Sequence, residues 1–346
     1  MKNILLSMVM LVFLSKVHAQ TFNGNVTFTY QQEINDFGAN GYTEINGNLA
    51  IVSNEINDLS PLSSLTTLTG FLDIHDNSLI TNLDGLSNMT SIGGNIYIYS
   101  NAVLTNVDGL SGLNIINGLL RIDANPLLTS LNGLSNITDI TGRLQINENA
   151  ILTNFDGLNN LQTLGDDLKF VANPNLVNIE ALSSVTSVGD DLFISNNDAL
   201  ENLNGLENIT FISNDIKIQL NDNLEDFCSL QDYFLGGTFS GGYTVYGNAY
   251  NPTQQEMVDD NCSTLSVEDV DFILTKVYPN PVTSHLYIEA KSNRISKVNA
   301  ITLQGSEISL VFENGMVDCG HLTSGVYFIQ VITEHGLSKV FRIIKH

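Results

Sequence analysis

Between Thr21 and Cys262 the chain has four basic residues, Arg121, Arg143, Lys169 and Lys217. All four fall in short alternating runs: L-R-I-D, R-L-Q-I-N, L-K-F-V and I-K-I-Q. The alternation places each cation on the face opposite the Leu and Ile residues. Residues on that same face include Phe71, Asp73, His75, Tyr97, Tyr99, Asp123 and Phe193. Aromatic rings beside guanidinium and amino groups suit recognition of a protein or a carbohydrate. The candidate contact set is therefore Phe71, Tyr97, Tyr99, Arg121, Arg143, Lys169, Phe193 and Lys217. The competing reading is that the cations neutralise aspartates on neighbouring strands and that the aromatics simply suit strands.

A second cluster is acidic: Asp166-Asp167, Asp190-Asp191 and Asn214-Asp215 recur at one repeat position. Stacked carboxylates repel one another, and a bound calcium would relieve that repulsion. Hydrated carboxylates screened by Lys169 and Lys217 are the alternative, and no D-x-D-x-D-G loop occurs. Asp166, Asp167, Asp190, Asp191 and Asp215 are the weak metal candidates, and no other cofactor is expected. Catalytic constellations are lacking. The body has one histidine, His75, and neither G-x-S-x-G nor H-E-x-x-H is present. The expectation is a protein that is not an enzyme.

The elements that position these groups repeat every 24 residues, from Phe71 through Asn95, Leu119, Arg143, Asp167 and Asp191 to Asp215, with a shorter copy at Asn48. Within each copy, positions 2 and 4 are apolar, as in Ile96 and Ile98, which predicts one short strand per coil. Apolar residues then recur three apart at positions 10, 13, 16, 19 and 22, a period suited to turns, extended pieces or 3₁₀ segments. Glycine at position 15 in most copies, such as Gly85 and Gly109, is expected to relieve local backbone strain. Position 7 is asparagine in seven consecutive coils, from Asn77 to Asn221. Stacking at about 4.8 Å predicts an internal asparagine ladder.

Thr21–Cys262 has 29 acidic residues against its four basic ones, a net −25, whereas Ser263–His346 is at −1. So acidic a body repels phosphate backbones, which excludes nucleic acid as a partner. Lys2, the apolar run Ile4–Leu14 and the small residues Val17 and Ala19 read as a signal peptide over 1–19. No later stretch is apolar enough for a transmembrane helix. Residues 20–47 are read as an N-terminal cap with a strand in N-V-T-F-T-Y, 48–238 as the repeat array and 239–262 as a C-terminal cap. Export and spacing predict a disulfide between Cys228 and Cys262. That leaves Cys319, either buried or a reactive thiol. Residues 263–276 read as a linker. Beyond it, alternating runs H-L-Y-I-E-A, V-N-A-I-T-L, G-V-Y-F-I-Q-V-I and K-V-F-R-I-I, with turns at Asn314-Gly315 and His335-Gly336, predict a small antiparallel, Ig-like β-sandwich over 277–346.

The repeat L-x-I-x-x-N-x-x-L-x-x-L-x-G-L-x-x-L-x-x-I, over Gly47–Cys228, resembles the receptor L domain and, more loosely, leucine-rich repeats. The leucine after Asn101 comes three residues on, at Leu104, rather than two. The resemblance thus implies a mainly β fold, a right-handed parallel β-solenoid rather than a helix-lined horseshoe. The last domain resembles the C-terminal sorting domain of type IX secretion through Tyr278, Pro279, Asn280, Pro281 and Val282, through Gly305, and through Leu322, Ser324, Gly325, Val326, Tyr327 and Phe328. That resemblance implies the type IX machinery as a partner and delivery to the surface of, or outside, a Gram-negative cell. The functional expectation is an exported binding or adhesion protein recognising an extracellular protein or glycan on its strand face. The alternatives are a polysaccharide-active enzyme on the solenoid and a structural spacer with no discrete site.

Overall fold

The computed structural model describes residues 20–236, 239, 241–259, 261–263, 274–290, 295–303, 305–333 and 338–346. The signal-peptide expectation, the His335-Gly336 turn and most of the expected linker lie outside them. The chain forms two compact units, 1–265 and 266–346.

In the first unit the alternating runs become strands that pair in parallel, each with the corresponding run of the next coil. Ile96 faces Leu120, and Leu120 faces Leu144. Ten such strands, from Val26–Phe28 to Tyr243–Tyr246, make one parallel sheet in chain order. Positions 2 and 4 are fully buried throughout, as are the apolar residues three apart, such as Leu104, Val107, Leu110, Leu113 and Ile116. Every coil therefore contributes to one continuous core.

Each full coil contains two strands rather than the one expected. Positions 21 and 22 form a two-residue strand, as in Ser91–Ile92 and Asp139–Ile140; five of these build one sheet, and two others join the cap strands Thr21–Asn23 and Glu44–Asn46 in a four-stranded one. Two residues are too few to show alternation, and only the buried position 22 is legible beforehand. Positions 14 to 16 are 3₁₀ turns in Asp84–Leu86, Asp108–Leu110, Asn132–Leu134 and Glu180–Leu182.

The expected role of the position-15 glycines needs correction. Gly157 and Gly205 have φ of 110° and 112°, and there the relief of strain holds. Gly85 and Gly109 have no such φ. Instead, a Cβ on Gly109 would sit 1.7 Å from the Leu83 carbonyl oxygen. Close approach between coils demands glycine there.

The asparagine ladder forms as expected, with all seven side chains fully buried. Each donates its own N–H and side-chain amide to the next: Asn101 donates both to Asn125 Oδ1, and Asn125 both to Asn149 Oδ1. Asn248 extends the ladder by accepting from Asn221. The preceding residue, position 6, is left-handed in all seven coils, from Asp76 at φ 53° to Leu220 at φ 56°. Ordinary side chains there are strained by roughly 1–2 kcal/mol each, and the buried ladder on the next residue holds them.

The caps continue the same path. At the N-terminal end Val26–Phe28 supplies the first strand, and a helix unforeseen in the sequence, Gln31–Ala39, buries Ile34. Phe22, Phe28, Phe37 and Tyr42 pack edge to face or tilted around it. At the other end, helices Gln231–Leu235 and Gln254–Val258 flank the tenth strand. Cys228 and Cys262 are joined.

The second unit is the expected antiparallel sandwich of two four-stranded sheets. Its first strand, Leu274–Tyr278, starts inside the expected 263–276 linker. Asn314 and Gly315 make the expected turn, both at positive φ. Cys319 is free and buried among Val282, Val298, Val317 and Ile329. Burial pushes its thiol pKa up, so the thiolate a reactive cysteine needs is disfavoured.

Candidate binding face

The outward face of the ten-stranded sheet carries positions 1, 3 and 5, in register from coil to coil. Position 3 reads Asp73, Tyr97, Arg121, Gln145, Lys169, Phe193 and Lys217 along paired strands. Position 5 reads His75, Tyr99, Asp123, Asn147, Val171, Ser195 and Gln219.

In the first four coils these side chains form one connected patch. Phe71 meets Tyr97 edge to face at 6.3 Å, and His75 meets Tyr99 at 4.7 Å. The Arg121 guanidinium lies over the Tyr99 ring at 4.7 Å and its Nε bonds Asp123 Oδ2 at 2.5 Å. Asp123 is buried and also accepts from the Gln145 amide at 2.6 Å and the Asn147 N–H at 3.1 Å. Burial raises the Asp73 carboxyl pKa, opposed by His75 and Arg121. Burial also raises the Tyr99 phenol pKa, with Asp73 and Asp76 acting in the same direction.

From Arg143 onward the cations are held differently. Arg143 pairs with Asp167 at 2.7 Å, and Lys217 pairs with both Asp191 and Asp215 at 2.8 and 2.9 Å. Lys169 lies 5.2 Å over the Phe193 ring. Here the competing reading of the cations applies: Arg143 and Lys217 are neutralised by aspartates of neighbouring strands. Asp191 and Asp215 hydrogen-bond to Lys217 and hold its pKa well above the ordinary lysine value, and the same contact lowers that of Asp215.

Position 1 forms a second ladder, which the sequence reading did not anticipate. Asn25 Oδ1 accepts the Asn48 N–H, and Asn48 Oδ1 the Phe71 N–H. The same bond runs from Asp191 to Asp167, from Asp215 to Asp191 and from Gly242 to Asp215. Among the described residues, Asp166, Asp167 and Asp190 place one carboxylate oxygen each within 4.8 Å of the others. Asp191 and Asp215 stand outside that trio and spend their carboxylates on Lys217 and on backbone N–H groups. The Asp167 carboxyl pKa is raised, chiefly by burial, against the bond from Asp191 and the Arg143 charge.

Gln145 and Asn147 belong to the patch and were absent from the candidate set. Their signal was available, because they occupy positions 3 and 5 of the coil from Arg143. Amides on a strand face carried no chemical flag.

The expected sorting residues are built into the second unit. Tyr278 stacks on Tyr287 at 5.6 Å and donates to Glu289 at 2.7 Å. Between Pro279 and Pro281, Asn280 donates to the Arg342 carbonyl and accepts the Ile344 N–H, fastening the entry segment to the last strand. Tyr327 is buried with its hydroxyl on the Thr323 carbonyl. Gly305 has φ 83°, and Gly325 opens the strand Gly325–Thr333.

Residues 276–346 match the family model of the secretion system C-terminal sorting domain. The protein carries a type IX sorting signal, engages that secretion machinery, and is secreted or displayed at the cell surface. Residues 41–132 match the receptor L domain model, a stretch that contains Phe71, Tyr97, Tyr99 and Arg121. No curated protein and no solved structure matches the chain. Among the described residues no helix is long and apolar enough to cross a membrane.

Proposed function

We propose that this exported protein binds an extracellular macromolecule, a protein or a glycan, through the outward face of its ten-stranded sheet and performs no catalysis. The observation that carries the reading is the Tyr99–Arg121–Asp123 arrangement. It places an aromatic ring, a guanidinium and a buried carboxylate on three adjoining side chains of a face that faces solvent. The inward positions 2, 4 and 7 are nearly invariant and serve stacking. Positions 3 and 5 change from coil to coil, as a recognition surface on a repeat scaffold does. Adhesion at the cell surface follows if the mature protein stays attached after sorting.

The test is an array of glycans and extracellular proteins probed with the purified full chain and with Tyr97→Ala/Tyr99→Ala. The reading expects at least one ligand, lost in the double variant. Binding that the double variant retains in full would remove the strand face from the assignment. Release of reducing ends from any polysaccharide on the array would overturn the non-catalytic part.

A further inference from the structure

On the outward face four buried polar atoms have no hydrogen-bond partner; Arg143 Nε has the Asp167 carboxylate at 2.7 Å as an ion pair, and the other three are Asp73 Oδ1, His75 Nδ1, which lies 3.9 Å from Asp73 Oδ1, and Asn147 Oδ1. Buried polar groups are almost always satisfied, and an orphaned one is costly. Asn147 is 8% exposed, so its amide oxygen is withheld from bulk water while its strand faces outward. The three atoms bracket Tyr97, Tyr99 and Arg121. From Asp73 to Asn147 the patch crosses three strand spacings, about 14 Å.

Resting on the strand-face reading, we propose that the ligand is a neutral saccharide chain seated on the first four coils, from Phe71 to Asn147, and not on the last three. Two of the orphans, Asp73 Oδ1 and Asn147 Oδ1, are acceptors, and a saccharide brings many hydroxyl donors. The Tyr97 and Tyr99 rings offer apolar faces for the C–H side of a sugar ring. Charge selects against anionic chains: the body carries −25, and Arg121 already spends its Nε on Asp123. A protein partner prefers a desolvated apolar pocket for its anchor residues. This patch instead sets the Tyr97 and Tyr99 rings among Asp73, Arg121, Asp123 and Asn147 on a sheet face. In the last three coils Lys217 is held between Asp191 and Asp215 and Lys169 lies over Phe193, and among the described residues no outward side chain there carries a buried orphan.

The experiment is retention of the full chain on neutral polysaccharides (cellulose, xylan, mannan, starch, chitin and a β-1,3-glucan), on anionic ones (alginate, polygalacturonate, chondroitin sulfate) and on an extracellular protein array. The variants are Asn147→Ala, Asp73→Asn, Tyr97→Ala/Tyr99→Ala and, in the last coils, Lys217→Ala. Melting curves establish that each is folded, and Asp73→Asn carries the test where Asn147→Ala is not. The inference expects retention on a neutral polysaccharide, weakened about tenfold by the first three variants and within about twofold of wild type for Lys217→Ala. Retention on proteins or anionic chains alone, still weakened by the tyrosine variant, overturns the saccharide and leaves the strand face standing. Retention indifferent to the tyrosines overturns both. No retention on any neutral polysaccharide overturns the saccharide.

Discussion

Asn101 donates its backbone N–H and its side-chain amide to the same oxygen, Asn125 Oδ1, at 3.2 and 3.1 Å. Asn125 in turn donates its amide to the carbonyls of Ile98 and Asp123, both at 3.0 Å. One side chain thus terminates two strands and links two coils.

Asn125→Ala should therefore be among the most damaging single changes in the solenoid. It orphans the Asn101 N–H and the Ile98 and Asp123 carbonyls in a fully buried setting, at about 1–3 kcal/mol per group. A loss of about 3 kcal/mol or more is expected in urea unfolding. A loss below about 1 kcal/mol would mean that water or a relaxed backbone replaces the ladder.

Gly109→Ala tests the inter-coil contact. Its Cβ would collide with the Leu83 carbonyl at 1.7 Å, backbone that cannot yield cheaply. Gly41 has φ 66° but nothing within 4 Å of its Cβ position, so Gly41→Ala meets only strain. The expected order is a loss of at least about 3 kcal/mol for Gly109→Ala and about 1 kcal/mol for Gly41→Ala. Equal melting midpoints would contradict the packing argument.

Lys217 sits between Asp191 and Asp215, and the pH dependence of its contribution has a definite sign. Asp215 is depressed in the fold, so its share of stability is present above the ordinary carboxylate pKa and is lost as pH falls through the lowered value. Lys217 is raised, so its share is present below the ordinary lysine pKa and is lost as pH rises through the folded value. Lys217→Gln should lower the melting midpoint at about pH 7, and the gap should close towards about pH 2. A gap that widens on acidification would contradict the pairing.

Calcium should not alter stability. Asp167 and Asp191 are spent on backbone N–H groups and on Arg143 and Lys217, which leaves the half-buried carboxylates of Asp166 and Asp190. Melting curves with calcium and with chelator are expected to coincide. A midpoint raised by several degrees in calcium would show that the acidic corner holds the ion.

Much of this was legible because burial writes itself into spacing. Ile96 and Ile98 announce the strand, Asn101 the ladder, and Cys228 with Cys262 the closure of the cap. What stayed hidden has physical reasons. Leu220 and Ala124 give no sign of a left-handed backbone, because that conformation is imposed by the asparagine that follows each. The second strands, such as Ser187–Val188, are too short to alternate. The helix Gln31–Ala39 buries Ile34 and packs Phe37 against neighbouring rings, and two large apolar residues in nine leave too short a stripe to read. At the face, Arg143 and Arg121 looked alike in sequence. Their difference lies in which aspartate the register brings alongside, and whether an aromatic ring lies beneath.

The most direct test of the central claim compares two surfaces of one folded molecule. Tyr97→Ala/Tyr99→Ala alters the strand face, and Asp84→Ala/Asp108→Ala alters the 3₁₀ turns of the neighbouring coils. Dissociation constants for the ligand found on the array should rise about tenfold or more for the tyrosine variant. They should stay near the wild-type value for the aspartate variant. Equal losses, or a loss confined to the aspartate variant, would contradict the strand-face account.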